Sequence, residues 1–238
     1  MQATENPYAP SNFTMAAHAE ASERATFIAK TYAHLAGAIL AFVALTAVLV
    51  NASFTPGLIE LMLGNRISWL IVLGIFMGVN WMADSWARSS TSQGIQYAGL
   101  GLCVIAWSII FTPLLYIAST HFSGVIATAG ITTLALFGVL TAIVFITRQD
   151  FSFLRGVLMF GGIAAMGLIA CAIIFNFSLG PIFTYAMIAL ACGYILYDTS
   201  NVMLHYRTDQ YVAASLALFA SVALLFWYIL QLFMSADD

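Results

Sequence analysis

Seven long apolar segments alternate with short polar breaks along the chain. They run approximately over residues 29–51, 67–87, 95–118, 123–146, 153–175, 181–204 and 212–234. Each is close to the roughly 20 apolar residues that a helix needs to cross the hydrocarbon core of a bilayer. The pattern therefore predicts an all-α polytopic membrane protein with seven transmembrane helices, which we number spans 1 to 7.

The composition supports this prediction and excludes several classes of protein. Of the 238 residues, 62% are hydrophobic and only 7% are charged, whereas an ordinary soluble domain is about half apolar and roughly one quarter charged. Seven Lys and Arg residues against ten Asp and Glu residues are too few to form a phosphate-binding surface. A soluble enzyme, a nucleic-acid-binding protein and a disordered regulator are therefore excluded.

The basic residues lie almost entirely on one side of the predicted spans. Six fall on the N-terminal side: Arg24, Lys30, Arg88, Arg148, Arg155 and Arg207. Only Arg66 falls on the other side. Because basic residues are retained in the cytoplasm, the N-terminus is predicted to be cytoplasmic and the C-terminus outside. Residues 1–25 form a polar tail that we expect to be mobile, and residues 26–238 form the transmembrane domain.

Small residues within the spans indicate where helices approach one another closely. Span 2 contains Gly74 and Gly78 in a GxxxG pattern, and span 5 has a small-residue face at Gly161, Gly162 and Ala165. Faces of this kind let helix backbones pack together in a bilayer. We therefore expect close helix contacts at both places.

The usual catalytic and cofactor-binding patterns do not occur in the sequence. Lys30, the only lysine, lies at the edge of span 1, so no lysine deep in a span could hold retinal. The GxxxxGK[ST] loop of an ATP-driven pump is missing. The four histidines are isolated and lack the spacing of metal ligands. We therefore predict no enzyme activity, no cofactor and no metal site.

Two carboxylates fall inside the predicted spans. Asp198 lies in span 6, roughly 10 Å below the inner surface at about 1.5 Å per residue. An ionisable group there is costly, so we expect it to face the helix bundle as part of a pathway, a proton site or a structural pair. A hydrogen-bonded or snorkelling aspartate is the alternative. The hairpin of spans 6 and 7 places Ser221 level with Asp198.

Asp84 in span 2 lies four residues before Arg88, which favours an ion pair.

Five segments carry motifs whose order and spacing hold over about residues 25–234. They are Thr147–Gly156 after span 4, Tyr194–Asn201 in span 6, Ala214–Phe219 in span 7, Lys30–Tyr32 at the start of span 1 and Thr112–Leu115 in span 3. Together they resemble the Bax inhibitor-1, or transmembrane Bax inhibitor motif, family. The chain is most similar to the bacterial YccA-like branch, which implies an integral protein of a bacterial inner membrane.

The resemblance implies a fold in which span 7 lies near the centre of a bundle formed by the other six. It also implies pH-sensitive calcium leak, cytoprotection and, in the bacterial branch, interaction with a membrane-anchored ATP-dependent protease. In leak-type members an aspartate of span 6 shares a proton with an aspartate of span 7. The span 6 aspartate carries over to Asp198, but the position of the span 7 aspartate is occupied here by Ser221. An asparagine that these members carry nearby is replaced here by Leu224. The paired carboxylate sensor is therefore incomplete here.

Two functions are compatible with these residues. In the first, the protein is a leak for calcium or another cation, in which Asp198 and Ser221 line the ion path or sense pH. Polar residues that would support this site are Asp84, Arg88, Arg148, Asp150 and Asn201. In the second, the protein is a non-conducting regulator that binds a membrane-anchored ATP-dependent protease or another membrane partner.

Overall fold

The computed structural model describes residues 14–89 and 92–236, which form eight helices and no β-strand. The helices are α1 (Ala21–Val50), α2 (Thr55–Leu63), α3 (Arg66–Ala87), α4 (Gln93–His121), α5 (Val125–Thr147), α6 (Leu154–Phe175), α7 (Gly180–Leu204) and α8 (Tyr211–Met234). All except α2 are long and apolar enough to cross a membrane. The predicted all-α fold with seven candidate spans is confirmed, and spans 1 to 7 correspond to α1 and α3 to α8.

The first helix extends well beyond the apolar segment that predicted it. α1 begins at Ala21, whereas the hydropathy pattern placed the start of span 1 near residue 29. Glu23 lies in the first turn, where a negative charge interacts favourably with the helix dipole. Residues 21–25, which we expected to belong to a mobile tail, are therefore helical. The first 13 residues of that tail lie outside the described part of the chain.

A short helix that the hydropathy pattern did not predict lies between the first two spans. α2 has Pro56 in its first turn, where the missing N–H of proline costs nothing. The Thr55 hydroxyl donates a hydrogen bond to the carbonyl oxygen of Leu49 at the end of α1. With nine residues, α2 is too short to cross the bilayer, and it packs against α3 and α4.

The last helix, α8, is the most buried of the seven candidate spans. It packs against α1, α3, α4, α5 and α7. Its Phe226 ring stacks on Phe111 of α4 with centroids 5.5 Å apart, and its Phe219 ring meets Phe42 of α1 edge-on at 6.0 Å. A helix that is apolar on all sides is expected in a protein interior. That α8 lies at the centre of all six other spans stays a prediction.

The backbones of α3 and α4 approach each other closely at Gly99. A Cβ atom added at this position would lie 2.6 Å from the carbonyl oxygen of Ala83 and 2.7 Å from the amide nitrogen of Ala87. Only glycine therefore fits between the two helices at this point. The contact holds the C-terminal end of α3 against the bundle, and that end carries Asp84 and Arg88.

The two predicted small-residue faces have different outcomes. Gly74 and Gly78 have open space where a side chain would begin, so the predicted close contact there is wrong. A Cβ atom at Gly162 would lie 2.8 Å from the hydroxyl oxygen of Tyr194 on α7, so the face on α6 does pack closely. A small residue permits close approach, but it does not by itself supply a neighbouring helix.

Candidate functional site around Asp198

Asp198 is buried near the C-terminal end of α7, with 9% of its surface exposed. Ser221 on α8 donates a hydrogen bond from Oγ to Oδ2 of Asp198 over 2.5 Å. The two residues therefore lie at the same depth in the α7–α8 hairpin, as their equal distance from the turn predicted. Asp198 faces the protein interior, which confirms the expectation that a carboxylate in this span lies within the bundle.

An ion pair at the end of α3 belongs to the electrostatic surroundings of Asp198. Arg88 donates from Nε to the two carboxylate oxygens of Asp84, at 2.9 and 2.8 Å, which confirms the predicted i,i+4 pair. Arg88 Nη2 also donates to the hydroxyl of Tyr206 over 3.4 Å, and the guanidinium carbon lies 5.7 Å from the Tyr206 ring centroid. Both members of the ion pair act electrostatically on Asp198.

Tyr206 lies in the loop between α7 and α8 and is almost fully buried. Burial raises the pKa of its hydroxyl to about 12, although the adjacent Arg88 acts in the opposite direction. The phenol is therefore neutral at physiological pH. Its oxygen accepts the hydrogen bond from Arg88 and so fixes the guanidinium at this end of the bundle.

Ser200, also buried in α7, holds the loop between α5 and α6. Its Oγ accepts a hydrogen bond from the backbone N–H of Phe151 at 3.0 Å and donates one to the carbonyl oxygen of Gln149 at 3.4 Å. These bonds join the Thr147–Gly156 motif to the Tyr194–Asn201 motif. The two segments that stood out in the sequence therefore meet at one place in the fold.

The remaining predicted supporting residues lie around this loop. Asp150 accepts a hydrogen bond from the N–H of Ser152 at 2.9 Å, and its carboxylate lies 3.5 Å from Nε2 of His205. The Ser152 N–H, helped by His205, holds the pKa of Asp150 below its ordinary value. Arg148 ends α5 in a left-handed conformation with φ 51° and is exposed. The backbone carbonyl oxygen of Asn201 accepts a hydrogen bond from the N–H of His205 at 2.8 Å.

The segment before α1 pairs with the α7–α8 loop. The N–H of Ala16 donates to the carbonyl oxygen of Tyr206 at 2.9 Å, and the N–H of Thr208 donates to that of Thr14 at 3.2 Å. The Thr208 hydroxyl donates to Glu23 at 2.6 Å. This part of the predicted mobile tail is therefore tied to the hairpin that carries the candidate site.

The site is chemically simple. In residues 14–89 and 92–236, no group of three or more His, Cys, Asp or Glu side chains could hold a metal ion. Asp198 is a carboxylate with one hydroxyl donor, so it can exchange a proton or attract a cation. Ser221 cannot share a titrating charge as a second carboxylate would. A role of these residues in ion conduction or pH sensing stays a prediction.

Sequence reasoning missed Tyr206 and Ser200 as parts of this site. A signal was available in the run Asp198–Ser200, which places three consecutive polar residues inside an apolar span. Polar groups at membrane depth need partners within the protein, so each member of the run should have been expected to contact a different neighbour. Tyr206 gave no comparable signal, because aromatic residues are common at the ends of spans.

Comparison with known proteins adds an independent finding. Residues 24–238 match the family model described as "Inhibitor of apoptosis-promoting Bax1". The chain is 32% identical to a BI1-like protein of Arabidopsis thaliana, over 58% of this chain and 55% of that protein. It is 36% identical to Bax inhibitor 1 of Schizosaccharomyces pombe, over 48% and 44% of the two chains. It is 31% identical to an uncharacterized protein of Pseudomonas aeruginosa, over 50% and 54%.

The matches to individual proteins cover only part of each relative. The chain spans about half the length of the curated relatives it matches. No solved structure matches the chain significantly.

Proposed function

This chain belongs to the Bax inhibitor-1 family of membrane proteins, and on that premise we propose that it is a non-enzymatic cation leak. Asp198 is the carboxylate that lines the ion path or gates it, calcium is the first cation to test, and cytoprotection is the physiological consequence. Ser221 holds Asp198 in place. Arg88 is the counter-charge at the same end of the bundle, and its pairing with Asp84 limits how strongly it acts on Asp198.

The observation that carries this proposal is the position of Asp198. A carboxylate inside the membrane-spanning part of a protein is costly, and such groups commonly lie on ion or proton pathways. Here the carboxylate accepts one hydrogen bond from a side chain, that of Ser221, and the charged groups acting on it belong to α3. The alternative is an aspartate whose hydrogen bond to Ser221 is purely structural, and the flux measurement distinguishes the two.

We further propose the orientation and location of the protein. The N-terminus and the α5–α6 loop lie in the cytoplasm, because six of the seven basic residues fall on that side of the spans. Asp198 is then reached from the cytoplasmic side. The resemblance to the YccA-like branch and the similarity to a Pseudomonas protein support a bacterial inner membrane.

Cation flux into liposomes that contain the purified protein tests the proposal. Asp198→Asn keeps the size of the side chain and an oxygen for Ser221, but removes the charge. We expect it to change the flux or its dependence on pH between about pH 5 and pH 8. The control is Asp209→Asn in the α7–α8 loop, where Asp209 pairs with Arg207 at 2.9 Å. Identical flux in native and Asp198→Asn proteins would remove Asp198 from the mechanism.

A second candidate function is a non-conducting regulator that binds a membrane-anchored ATP-dependent protease or another membrane partner. The pairing of Thr14 and Ala16 with the α7–α8 loop favours it, because a partner that pulls on the N-terminal tail would act directly on this hairpin. This function predicts no cation flux from the purified protein at any pH. It also predicts that removal of residues 1–13 abolishes co-purification with the protease.

A further inference from the structure

A large cavity lies in the bundle at the end where α8 finishes. Its volume is about 600 Å³, which is within the range of about 300–1,000 Å³ that is usual for small-molecule sites. Residues of α3, α4, α6, α7 and α8 line it, but neither Asp198 nor Ser221 does. Its lining includes the exposed residues Phe177, Pro181 and Ser235, so the cavity is open at this end. It is therefore a second site, distinct from the one around Asp198.

The depth of the cavity matches one leaflet of a bilayer. Along α8 it extends from Ser235 to Leu224, a rise of about 16 Å at about 1.5 Å per residue. It also reaches Trp107 in the middle of α4. The hydrocarbon core of a bilayer is about 30 Å thick, and each leaflet supplies half of that thickness. A ligand that fills the cavity would therefore have the length of one acyl chain.

The walls of the cavity are apolar and uncharged. Six aromatic side chains from four helices contribute to them: Trp69, Phe76, Trp107, Phe183, Trp227 and Tyr228. None of the described residues that line the cavity is charged. A phosphate or a carboxylate would have no basic partner there, and burying an unpaired charge is costly. The lining therefore favours a hydrocarbon chain over an anion.

The Tyr228 hydroxyl faces the cavity without a protein partner. Tyr228 lines the cavity and is only 6% exposed, and its ring packs edge-on against Phe183 with centroids 6.1 Å apart. Its hydroxyl makes no hydrogen bond to another described residue. The oxygen is not among the fully buried polar atoms that lack a partner, so part of its surface is accessible and faces the cavity. Gln231, one turn further along α8, also lines the cavity, and its side-chain amide makes no hydrogen bond within the described part of the chain. Both side chains can donate a hydrogen bond to a ligand.

We propose that this cavity binds one acyl chain of a bilayer phospholipid. The chain lies between the aromatic walls, and its ester carbonyl oxygen accepts the hydrogen bond that the Tyr228 hydroxyl does not make within the protein. Gln231, nearer the mouth, donates to the headgroup, whose charge stays outside the uncharged lining. α3 forms one wall through Trp69 and Leu73 and is the least buried of the seven candidate spans, so bilayer lipid lies directly beside the cavity. This site goes beyond the function proposed for Asp198 and requires no ion conduction.

Native mass spectrometry of the full-length protein tests the proposal, with phosphatidylethanolamine added to the protein in detergent micelles as the probe. We expect the native protein to retain one phospholipid molecule. Tyr228→Phe keeps the ring but removes the hydroxyl, so the retained phospholipid should fall several-fold. The matched control is Tyr185→Phe, because Tyr185 lies on α7 with 59% of its surface exposed and does not line the cavity. This control should retain phospholipid as the native protein does.

A second variant fills the cavity. Ala172 is buried and lines the cavity, so the ring of Ala172→Phe should take the place of the chain and abolish retention. Its control is Gly101→Leu, whose side chain enters open space in a groove between α1 and α4.

Several outcomes would overturn the proposal. They are a native protein that retains no phospholipid, and unchanged retention in folded Tyr228→Phe or Ala172→Phe. If Ala172→Phe does not fold, the comparison of Tyr228→Phe with Tyr185→Phe decides. Retention of a free fatty acid but not of phosphatidylethanolamine would overturn the proposal in favour of that ligand. A dimer that both cavity variants disrupt would overturn it in favour of a second copy of the chain.

Discussion

The hydrogen bond between Ser221 and Asp198 makes a quantitative prediction about stability. Ser221→Ala removes the hydroxyl that donates to Oδ2 of Asp198 over 2.5 Å. A hydrogen bond to a charged group contributes about 1.5–3 kcal/mol, and a bond between neutral groups about 0.5–1.5 kcal/mol. The coupling energy between the two side chains should therefore be larger when Asp198 is ionised than when it is protonated.

A double-mutant cycle isolates this energy from the other effects of each substitution. The free energy of unfolding is measured in mixed micelles for the native protein, Ser221→Ala, Asp198→Ala and the double variant. We expect a coupling energy of about 1.5–3 kcal/mol at the pH where the carboxylate is ionised. The cycle is needed because Asp198→Ala also relieves the cost of burying a carboxylate, which alters stability independently of Ser221.

Ser215 provides a matched control on the same helix. It is buried in α8, and its hydroxyl donates to the backbone carbonyl oxygen of Val212 at 2.8 Å, not to Asp198. The cycle of Ser215→Ala with Asp198→Ala should be additive within about 0.5 kcal/mol. If the Ser221 cycle is equally additive, the hydrogen bond contributes nothing to stability and the hairpin geometry around Asp198 is not as described.

Three further predictions test other parts of the molecule. Reporter fusions should place residue 1 and the 148–152 loop in the cytoplasm and residue 238 outside, and a cytoplasmic C-terminus would contradict this orientation. Gly99→Ala should lower the free energy of unfolding by about 1–3 kcal/mol, whereas Gly101→Ala, which has open space, should not. The pKa of Tyr206 is about 12 in the folded protein, against about 10 in the unfolded chain. The free energy of unfolding should therefore be constant below about pH 10 and fall by up to about 3 kcal/mol as the pH rises toward 12. Thermal unfolding of Tyr206→Phe should lack this alkaline loss.

The sequence was sufficient to predict the spans and the equal depth of Asp198 and Ser221, whereas the hydrogen bond between their side chains is a finding of the structure. Long apolar segments are a strong signal because the bilayer sets their length. Because the α7–α8 turn is short, residues equally far from it on the two helices lie at the same depth in the membrane. Neither inference needs knowledge of how distant helices pack.

The features that sequence reasoning missed depend on contacts between distant elements. Gly99 fits against α3 only because the two backbones cross there, while Gly74 in an apparently better pattern meets open space. The pairing of Ala16 with Tyr206 joins residues far apart in the chain through their backbone groups, which carry no sequence signal. The short helix α2 is apolar but too short for a span, so hydropathy could not distinguish it from a loop.

The run Asp198–Ser200 explains why the candidate site lies inside protein and not at its lipid surface. Consecutive residues of a helix point about 100° apart, so three of them cover roughly 200° of its circumference. All three are buried, and they face α8, the Tyr32 hydroxyl and the α5–α6 loop respectively. Because the helix is rigid over one turn, a displacement of the backbone at Asp198 must also move Thr199 and Ser200. A gating motion of α7 at Asp198 would therefore disturb the Phe151–Ser200 hydrogen bond and the interaction of Thr199 with Tyr32 together, whereas a proton or ion that only binds to the carboxylate would leave both unchanged.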